Sequence, residues 1–300
     1  MSGPAAKIQA QAKLNLYLRV LTREESGYHS IETIFHRVEL ADEIAVHAED
    51  DRLRAIDVQG ADAGPAEENL AYRAAVAYQE EASWPRGFTI ELDKKIPIGA
   101  GLGGGSADAG AVLRALDSIS RKPLGEKKLR AIAASLGSDV PFLVSREPMA
   151  LAWGRGERML GLSALPQRDV LLVIPDFSVP TPDAYNWIDE DRPAGWDPLT
   201  DSSSDLILIS EEMLASWTSI ARINRNDFIP TVTKRQPAVR TLLDAFNETG
   251  SFICSMSGSG SAVFGVYEAL PAETALGAFE GTTMIPTRTA EKVVQPIRIG

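Results

Sequence analysis

The sequence is poor in the residues that cross-link or metallate a fold. Its 300 residues include one cysteine, Cys254, and three histidines. A lone cysteine excludes an internal disulfide, and no Cys/His cluster has the spacing of a zinc site. A reducing compartment, the cytoplasm, is therefore expected. No stretch approaches the roughly 20 apolar residues of a membrane span. Residues 1–11 also lack the features of a secretion signal, so no membrane association is expected.

Positive charge is also in short supply. Thirty Lys and Arg residues face 41 Asp and Glu residues, for a net charge of −11. A nucleic-acid partner would require a basic face, and this balance argues against one. A local basic pocket for a small anion remains compatible with it. The hydrophobic content of 44% and the length suit a globular protein of two domains or one large one.

Glycine, by contrast, is dense in one place. Five glycines fall within residues 99–105, after an alternating apolar segment over 88–92 and before a helix pattern that begins at Ala107. Such density is typical of backbone that takes positive φ or lies against a ligand. The start of a helix adds unpaired N–H groups and a positive dipole end. The segment therefore predicts a phosphate site.

Several interpretations of the glycine segment compete. A P-loop would end in Gly-Lys-Ser/Thr, and no lysine follows the last glycine here. Gly99, Gly101 and Gly104 satisfy G-x-G-x-x-G, but a dinucleotide fold also requires a following parallel strand. A second helix pattern, over 125–136, follows instead. A glycine-rich surface turn remains a structural alternative.

The segment P-x-x-x-G-L-G-G-G-S-A resembles the phosphate loop of the GHMP kinases, the family of galactokinase, homoserine kinase, mevalonate kinase and phosphomevalonate kinase. The resemblance implies that this loop binds ATP with Mg²⁺, and that Ser106 is a metal ligand. The loop residues so implied are Pro97, Ile98, Gly99, Ala100, Gly101, Leu102, Gly103, Gly104, Gly105, Ser106 and Ala107.

Two polar residues stand out near the N-terminus. Apolar residues alternate from 14 to 20, which predicts a strand with one buried face and places Lys13 and Asn15 on the other. Solvated side chains are the simple interpretation. However, A-K-L-N-L is similar to the family motif P-A-K-x-N-L, with Gln11 in place of the proline. The resemblance implies Lys13 beside the transferred phosphate and Asn15 in substrate binding.

An acid with two interpretations lies in L-G-S-D-V-P-F, residues 136–142. Between a helix end and an apolar run, Asp139 would usually be a cap or turn residue. The segment also resembles the family's G-x-D-V-P, whose aspartate abstracts the acceptor proton. A nearby Lys13 would keep Asp139 ionised and ready for that role. Lys13 and Asp139 are thus the predicted catalytic pair.

A third motif concerns the acceptor. Gly27-Tyr28-His29 could be a packed aromatic and a satisfied imidazole, but with the residues to Phe35 it resembles family members whose substrate is a cytidine diphosphate-linked methylerythritol. The resemblance implies that Tyr28 stacks on cytosine and His29 hydrogen-bonds it. A later segment, residues 179–185, resembles the family's V-x-T-x-x-x-F/Y and is expected to start a helix capped by Thr181. The resemblance implies that Thr181 and Tyr185 bind the substrate, with Tyr185 as a second ring stacked on the base; its alternative role is a core anchor.

Three further features complete the predicted site. Asn69, in E-N-L-x-x-R-A, is a helix N-cap, a group near adenine, or both. Lys94 is either half of an exposed pair with Lys95 or a nucleotide contact. S-G-S-G-S-A-V-F-G, residues 257–265, is either a tight hairpin or the family motif that supports the phosphate loop.

Together these motifs predict an α+β, two-domain GHMP kinase fold. Residues 1–160 would form an N-terminal domain like domain 2 of ribosomal protein S5, and residues 161–300 a ferredoxin-like C-terminal domain, with the site between them. The expected activity is ATP-dependent phosphorylation of the 2-hydroxyl of the cytidylyl substrate, by a monomer or weak homodimer. Alternatives are a homoserine or mevalonate type of kinase, or a silent GHMP-fold regulator, which would be expected to lose Lys13 or Asp139.

Overall fold

A computed structural model describes residues 3–62, 64–193, 196, 209–271 and 281–299. The sequence pattern also predicts helices over 206–220 and 272–279. The second of these, and the start of the first, lie outside the described residues. Within the described chain, two β-sheets are covered by helices, and no helix is long and apolar enough to cross a membrane.

The first sheet is built around two long strands of 19 and 21 residues, which pair antiparallel. Its strands are β1 (Ala5–Arg23), β2 (His29–Glu49), β3 (Arg54–Gln59), β4 (Gly87–Asp93), β5 (Met149–Gly154), β6 (Arg158–Leu162), β8 (Arg225–Asn226) and β12 (Ile297–Ile299). The main path of the sheet runs β12-β1-β2-β4-β3. Strands β5 and β6 extend from β2, and β8 lies beside β1.

Strand β1 departs from its predicted amphipathic form. From Ala10 to Val20 both of its faces are buried. A register shift against β2 between Asn15 and Tyr17 interrupts the alternation, and bulges of this kind redirect side chains. Leu14 and Leu16 consequently pack in one core, whereas Val20 packs in a second core with the C-terminal helices. The prediction of one buried face was wrong because alternation alone does not reveal a bulge.

Four helices cover the first sheet. Small side chains along the second of them, from Ala107 to Ala115, allow it to pack closely on β1. The helices are α1 (Leu70–Ala82), α2 (Gly104–Ile119), α3 (Glu126–Leu136) and α4 (Val140–Val144).

The second sheet is antiparallel and consists of β7 (Asp169–Pro175), β9 (Ile253–Met256), β10 (Val263–Tyr267) and β11 (Thr282–Arg288). Its strands lie in the order β11-β7-β10-β9, which is the order of a ferredoxin-like layer. The accompanying helices are α5 (Thr181–Asp191), α6 (Glu211–Leu214), α7 (Trp217–Ile223), α8 (Phe228–Arg235) and α9 (Pro237–Glu248). The single helix predicted over 206–220 is replaced, in the described residues, by α6 and α7. The break occurs because Ser216 caps α7, where its side chain accepts from the Ser219 amide.

The two sheets do not divide the chain at a single point. The predicted boundary at residue 160 falls inside β6, which belongs to the first sheet. The chain later returns to that sheet through β8 and β12, which both pair with β1. The two-domain division at this position stays a prediction.

One close helix contact offers a test of the packing. A Cβ at Gly110 in α2 would lie 2.6 Å from the backbone carbonyl of Leu143 in α4. We expect Gly110→Ala to lower the free energy of unfolding by about 1–3 kcal/mol, because overpacking outweighs alanine's advantage in helix propensity. Urea denaturation would measure the change. Gly105→Ala in the same helix is the matched control, since its methyl would meet only Leu70 Cδ1 at 3.6 Å. A Gly110→Ala variant as stable as the parent would contradict this packing argument.

Candidate active site

A cavity of about 630 Å³ lies between the first sheet, the glycine loop and the C-terminal helices. Both halves of the chain contribute to its wall, as the sequence predicted. The predicted site residues that line it are Lys13, Asn15, Asn69, Lys94, Pro97, Ile98, Gly99, Ala100, Gly101, Leu102, Gly103, Gly104, Gly105, Ser106, Asp139, Thr181 and Tyr185. Among the predicted residues, Tyr28, His29 and the buried Ala107 do not line it.

The Lys13 ammonium is the buried charge at the centre of this cavity. Its side chain is 3% exposed, and Nζ donates to Asn15 Oδ1 at 2.7 Å and to the Gly101 carbonyl at 2.8 Å. The Lys13 backbone N–H donates to the Leu102 carbonyl. A buried cation requires such partners. The backbone and the side chain of Lys13 therefore both connect β1 to the glycine loop.

Asp139 faces Lys13 from the start of α4. Its Oδ2 lies 3.5 Å from Lys13 Nζ, and its side chain is 26% exposed. The side chain makes no capping hydrogen bond to α4, although it occupies the N-cap position. The buried Arg37 holds the other end of α4, where its guanidinium donates to the carbonyls of Phe142 and Ser145. Asp139 is thus placed by a fixed helix while its carboxylate stays available to a ligand.

The glycine loop turns its backbone toward the cavity. Gly99, Gly101 and Gly103 have φ of 72°, 79° and 72°, which disfavours other residues. Helix α2 begins at Gly104, three residues before the predicted start, so Gly104 to Ser106 form its first turn. No side chain caps that turn. Its N–H groups and the positive end of the helix dipole are therefore available to an anion.

The turn between β9 and β10 supports the loop from behind. Ser257 Oγ donates to the Gly101 carbonyl at 2.9 Å, and the Ala262 N–H donates to the Ala100 carbonyl at 3.1 Å. A Cβ on Gly101 would lie 2.1 Å from the Ser257 carbonyl oxygen. The loop and the turn therefore fit only with glycine at this position.

The turn also reaches the Lys13 centre. The Gly258 N–H donates to Asn15 Oδ1 at 2.9 Å, so that this oxygen accepts from both Gly258 and Lys13. The Asn226 amide in turn donates to the carbonyls of Met256 and Gly258. Sequence reasoning assigned no role to Asn226, although it lies in a partial match to a family motif. The structure identifies it as the buried support of this turn.

Lys94 lies beneath the loop in a buried cluster. Its Nζ donates to Asp42 Oδ2 at 2.5 Å and to Asp108 Oδ2 at 2.7 Å. Asp42 Oδ1 accepts from the N–H groups of Lys95 and Ile96. The exposed alternative for Lys94 is excluded, while Lys95 is exposed and bound to Glu43. Because two carboxylates already hold its ammonium, a nucleotide contact by Lys94 stays a prediction.

Asp108 is the acid of this cluster with the most perturbed environment. Its side chain is 3% exposed, and Oδ1 has no hydrogen-bond partner in the described chain. Burial raises the pKa of Asp108 to about 8, against the opposing charge of Lys94 and with the support of Asp42. One ammonium thus serves two carboxyl groups, and Asp108 is the one with an oxygen that has no partner among the described residues. Neither Asp42 nor Asp108 was singled out from the sequence, where each looks like an ordinary acid in a strand or helix.

The aromatic residues that are predicted to bind the base make contacts within the protein. Tyr28 is 61% exposed, and the Arg155 guanidinium lies over its ring at 4.3 Å. Tyr185 stacks instead on His29, with ring centroids 4.8 Å apart and an angle of 15°, and its edge meets Phe228. Burial and the nearby Asp139 raise the Tyr185 pKa. Tyr185 thus has both core and cavity contacts, and the stacking of Tyr28 and Tyr185 on one ligand stays a prediction.

The remaining two predicted residues lie at opposite ends of the cavity. Asn69 is the N-cap of α1, as predicted, and its Oδ1 accepts from the Ala71 N–H at 2.9 Å. Thr181 is not a cap: it is the first residue of α5, after Pro180, and its hydroxyl pairs with Ser259 Oγ at 3.2 Å. The capping prediction for Thr181 was wrong, since the proline takes that position.

A pH experiment would test the Asp108 assignment. The pKa near 8 in the fold, against about 3.9 for an unfolded Asp, means that the native protein holds an extra proton between these values. Stability is therefore expected to fall as pH rises from about 4 to 8. Asp108→Asn should flatten this dependence, since a carboxamide is neutral and its oxygen still accepts from Lys94.

Urea denaturation of both proteins at several pH values would measure the two slopes. Asp244→Asn, at an exposed position of α9, should keep the slope of the parent. Parallel slopes for Asp108→Asn and the parent would mean that Asp108 is ionised throughout the range.

Comparison with known proteins identifies the family. The models of the GHMP kinases N terminal domain and of the GHMP kinases C terminal domain match residues 69–147 and 202–282. A 4-diphosphocytidyl-2-C-methyl-D-erythritol kinase of Chlorobium phaeobacteroides is 35% identical over 274 residues, which cover 90% of this chain and 89% of the relative.

Solved structures agree with this result. A crystal structure of 4-(cytidine 5'-diphospho)-2C-methyl-D-erythritol kinase has a TM-score of 0.74 and 35% identity, covering 95% of this chain and 99% of that one. Homoserine kinase from Cytophaga hutchinsonii shares the fold, with a TM-score of 0.68 at 19% identity and coverage of 98% and 97%. The predicted α+β GHMP kinase fold is confirmed. This chain belongs to the GHMP kinases and, within them, to the family of the 4-diphosphocytidyl-2-C-methyl-D-erythritol kinases.

Proposed function

We propose that this protein transfers the γ-phosphoryl group of ATP to the 2-hydroxyl of 4-diphosphocytidyl-2-C-methyl-D-erythritol, a step of the non-mevalonate route to isoprenoid precursors. The observation that carries the proposal is the Lys13–Asp139 pair, 3.5 Å apart at the mouth of the glycine loop. Phosphoryl transfer depends mainly on positioning and charge stabilisation, so that a cation and a base at a phosphate site suffice.

The nucleotide would lie along the glycine loop. Its phosphates would accept from the N–H groups of the first turn of α2, from Gly104 to Ser106, where no side chain competes. At the other end of the cavity, the Asn69 amide nitrogen is left for adenine because its oxygen already caps α1. Leu70 and Ile96 line the cavity there and offer apolar contacts to the base.

Lys13 and Asp139 would act on the transfer itself. The Lys13 ammonium neutralises charge on the moving phosphoryl group, and Asp139 accepts the proton of the attacking hydroxyl. The residues present also suit Mg²⁺, which prefers oxygen ligands and keeps several waters alongside substrate phosphates. The Ser106 hydroxyl would contribute one ligand, and no group of three acidic, histidine or cysteine side chains in the described residues forms a separate metal cage. Bound Mg²⁺ would screen the phosphate charges.

The acceptor would occupy the side of the cavity toward α5. Thr181, Tyr185 and Phe228 line this side, close to Asp139. The aromatic surface suits a flat heterocycle. Tyr28 could join it after leaving Arg155, since both side chains are at the surface. A homoserine or mevalonate type of acceptor has no base for this surface.

The protein is expected to act as a monomer or weak homodimer in the cytoplasm. Burial raises the pKa of its one thiol, Cys254, to about 12, which keeps the thiol unreactive. A silent regulator is the second candidate, but such a protein would be expected to lose Lys13 or Asp139, and both are present, 3.5 Å apart.

Removal of the proposed base gives the sharpest test of mechanism. Asp139→Asn is expected to lower kcat by roughly two or more orders of magnitude, the usual contribution of a general base, while ATP binding is largely retained. Steady-state kinetics and calorimetric titration with ATP would separate the two effects. Asp57→Asn, on the exposed strand β3, is the control and should leave both quantities unchanged. Near-normal turnover in Asp139→Asn would remove this residue from the mechanism.

The acceptor itself is tested by ATP consumption with a panel of alcohols. We expect the highest kcat/KM for 4-diphosphocytidyl-2-C-methyl-D-erythritol, and little turnover of homoserine, mevalonate or galactose, because none of the latter has a base to stack on Tyr185. A preference for any of these three would overturn the substrate assignment. No turnover of any acceptor, with ATP still bound, would favour the regulator.

A further inference from the structure

The turn between β9 and β10 shares both oxygen atoms to which the Lys13 ammonium donates. Asn15 Oδ1 also accepts from the Gly258 N–H at 2.9 Å. The Gly101 carbonyl also accepts from Ser257 Oγ, again at 2.9 Å. A Cβ on Gly258 would lie 3.4 Å from Lys13 Nζ, so the turn lies directly against the ammonium group. The place of the ammonium group therefore depends on the place of this turn.

Thr33 fixes the orientation of the Asn15 carboxamide. Its hydroxyl donates to the Tyr17 carbonyl at 2.7 Å and lies 2.8 Å from Asn15 Nδ2. A hydroxyl has one proton, so Thr33, which already donates to Tyr17, can only accept from Asn15. The nitrogen of the carboxamide must therefore face Thr33, and its oxygen faces Lys13. Asn15 thus offers the ammonium group an acceptor that cannot rotate away.

The turn is itself held by Asn226 in β8. The side chain of Asn226 is buried, and its Nδ2 donates to the Met256 carbonyl at 2.6 Å and to the Gly258 carbonyl at 2.8 Å. These two carbonyls lie on either side of Ser257 in the chain. Asn226 Oδ1 accepts from the Phe228 N–H at 2.9 Å, so both ends of the carboxamide are bonded within the protein. One side chain therefore holds the two residues whose donors reach the acceptors of Lys13.

We propose that Asn226 is a positioning residue, which sets the place of the Lys13 ammonium for phosphoryl transfer by holding the turn. This role rests on the proposed function, in which Lys13 neutralises the moving phosphoryl group. Asn226 is not among the residues that line the cavity, so it acts through the turn. Stabilisation of a transition state requires a cation at the place where charge develops, and small displacements are costly. ATP binding depends less on this place, because the N–H groups of α2 also hold the phosphates.

Kinetics of Asn226→Ala in the full-length protein would test this role. The variant leaves two buried carbonyls without their donor, so the turn can shift and Lys13 with it. We expect kcat to fall about 10- to 100-fold, as for other small displacements of catalytic groups. The dissociation constant for ATP should change by less than about threefold, since the loss falls on the transfer step. Steady-state assays and calorimetric titration would measure both, after correction for the folded fraction. A folded variant with the kcat of the parent would overturn the proposal.

Asn224→Ala is the matched control. Asn224 lies two residues earlier, and its Nδ2 donates to the Leu16 carbonyl of β1 at 2.7 Å rather than to the turn. The same truncation thus removes a similar bond without releasing the residues that reach the acceptors of Lys13. We expect Asn224→Ala to lower the stability of the fold and to leave kcat within about twofold of the parent. An equal loss of kcat in both variants would show a general effect of packing and would overturn the proposal.

A spectroscopic measurement follows the ammonium group directly and requires no turnover. Lys13 and Lys94 are the buried lysines of the described chain, and buried, hydrogen-bonded N–H groups exchange slowly with water. Their ammonium groups should therefore give ¹H–¹⁵N cross-peaks, and Lys13→Met identifies the Lys13 signal by its loss. Asn226→Ala should shift or broaden the Lys13 cross-peak. The Lys94 cross-peak should stay unchanged, because Lys94 is held by Asp42 and Asp108. An unchanged Lys13 cross-peak would overturn the proposal.

Asn226→Ser is the milder variant if Asn226→Ala does not fold. Its shorter hydroxyl has one proton, so at least one of the two carbonyls loses its donor. The same two changes are expected to a smaller extent, and their absence from the folded variant would overturn the proposal. If the parent phosphorylates no acceptor, the proposed function fails. The cross-peaks then still decide whether Asn226 sets the place of Lys13.

Discussion

The fold of the active site depends on the burial of one positive charge. Lys13 is removed from water in the middle of β1, and its ammonium is satisfied by a backbone carbonyl of the glycine loop, by Asn15 and by Asp139. An unpaired buried ammonium would be costly, and these contacts offset that cost only if strand, loop and α4 occupy their observed places. The geometry of the proposed catalytic pair and the local stability of the fold therefore depend on the same contacts.

The glycine loop supplies a hydrogen-bond acceptor to the buried Lys13 ammonium. The Gly101 carbonyl accepts from both Lys13 and Ser257. The carbonyl oxygens of the loop therefore point into the protein. The next turn, at the start of α2, then presents N–H groups to the cavity. One short segment is thus negative toward the interior and positive toward a ligand. Glycine at residue 101 is what allows this, because a Cβ there would meet the turn at Ser257.

The sequence predicts those parts of the structure that have a local signal. The glycine loop, the helices α2 and α3, and the Asn69 cap follow from periodicity and turn chemistry, and the family resemblance supplied the fold. The extent of burial around Lys13 could not be predicted, because it depends on a bulge in β1 and on the turn at Gly258, 245 residues later. The contacts of Asp42 and Asp189 could not be predicted for a similar reason, because only the tertiary fold brings their partners to them.

The two charges of the proposed catalytic pair are held unequally, and this suits the different roles proposed for them. Lys13 has two hydrogen bonds at 2.8 Å or less and almost no exposure, so it acts as a fixed electrostatic element. Asp139 has a longer contact of 3.5 Å, partial exposure and no capping bond. The looser hold on Asp139 leaves its carboxylate accessible to a ligand, which suits the role proposed for it, whereas the firm hold on Lys13 fixes the position of the cation.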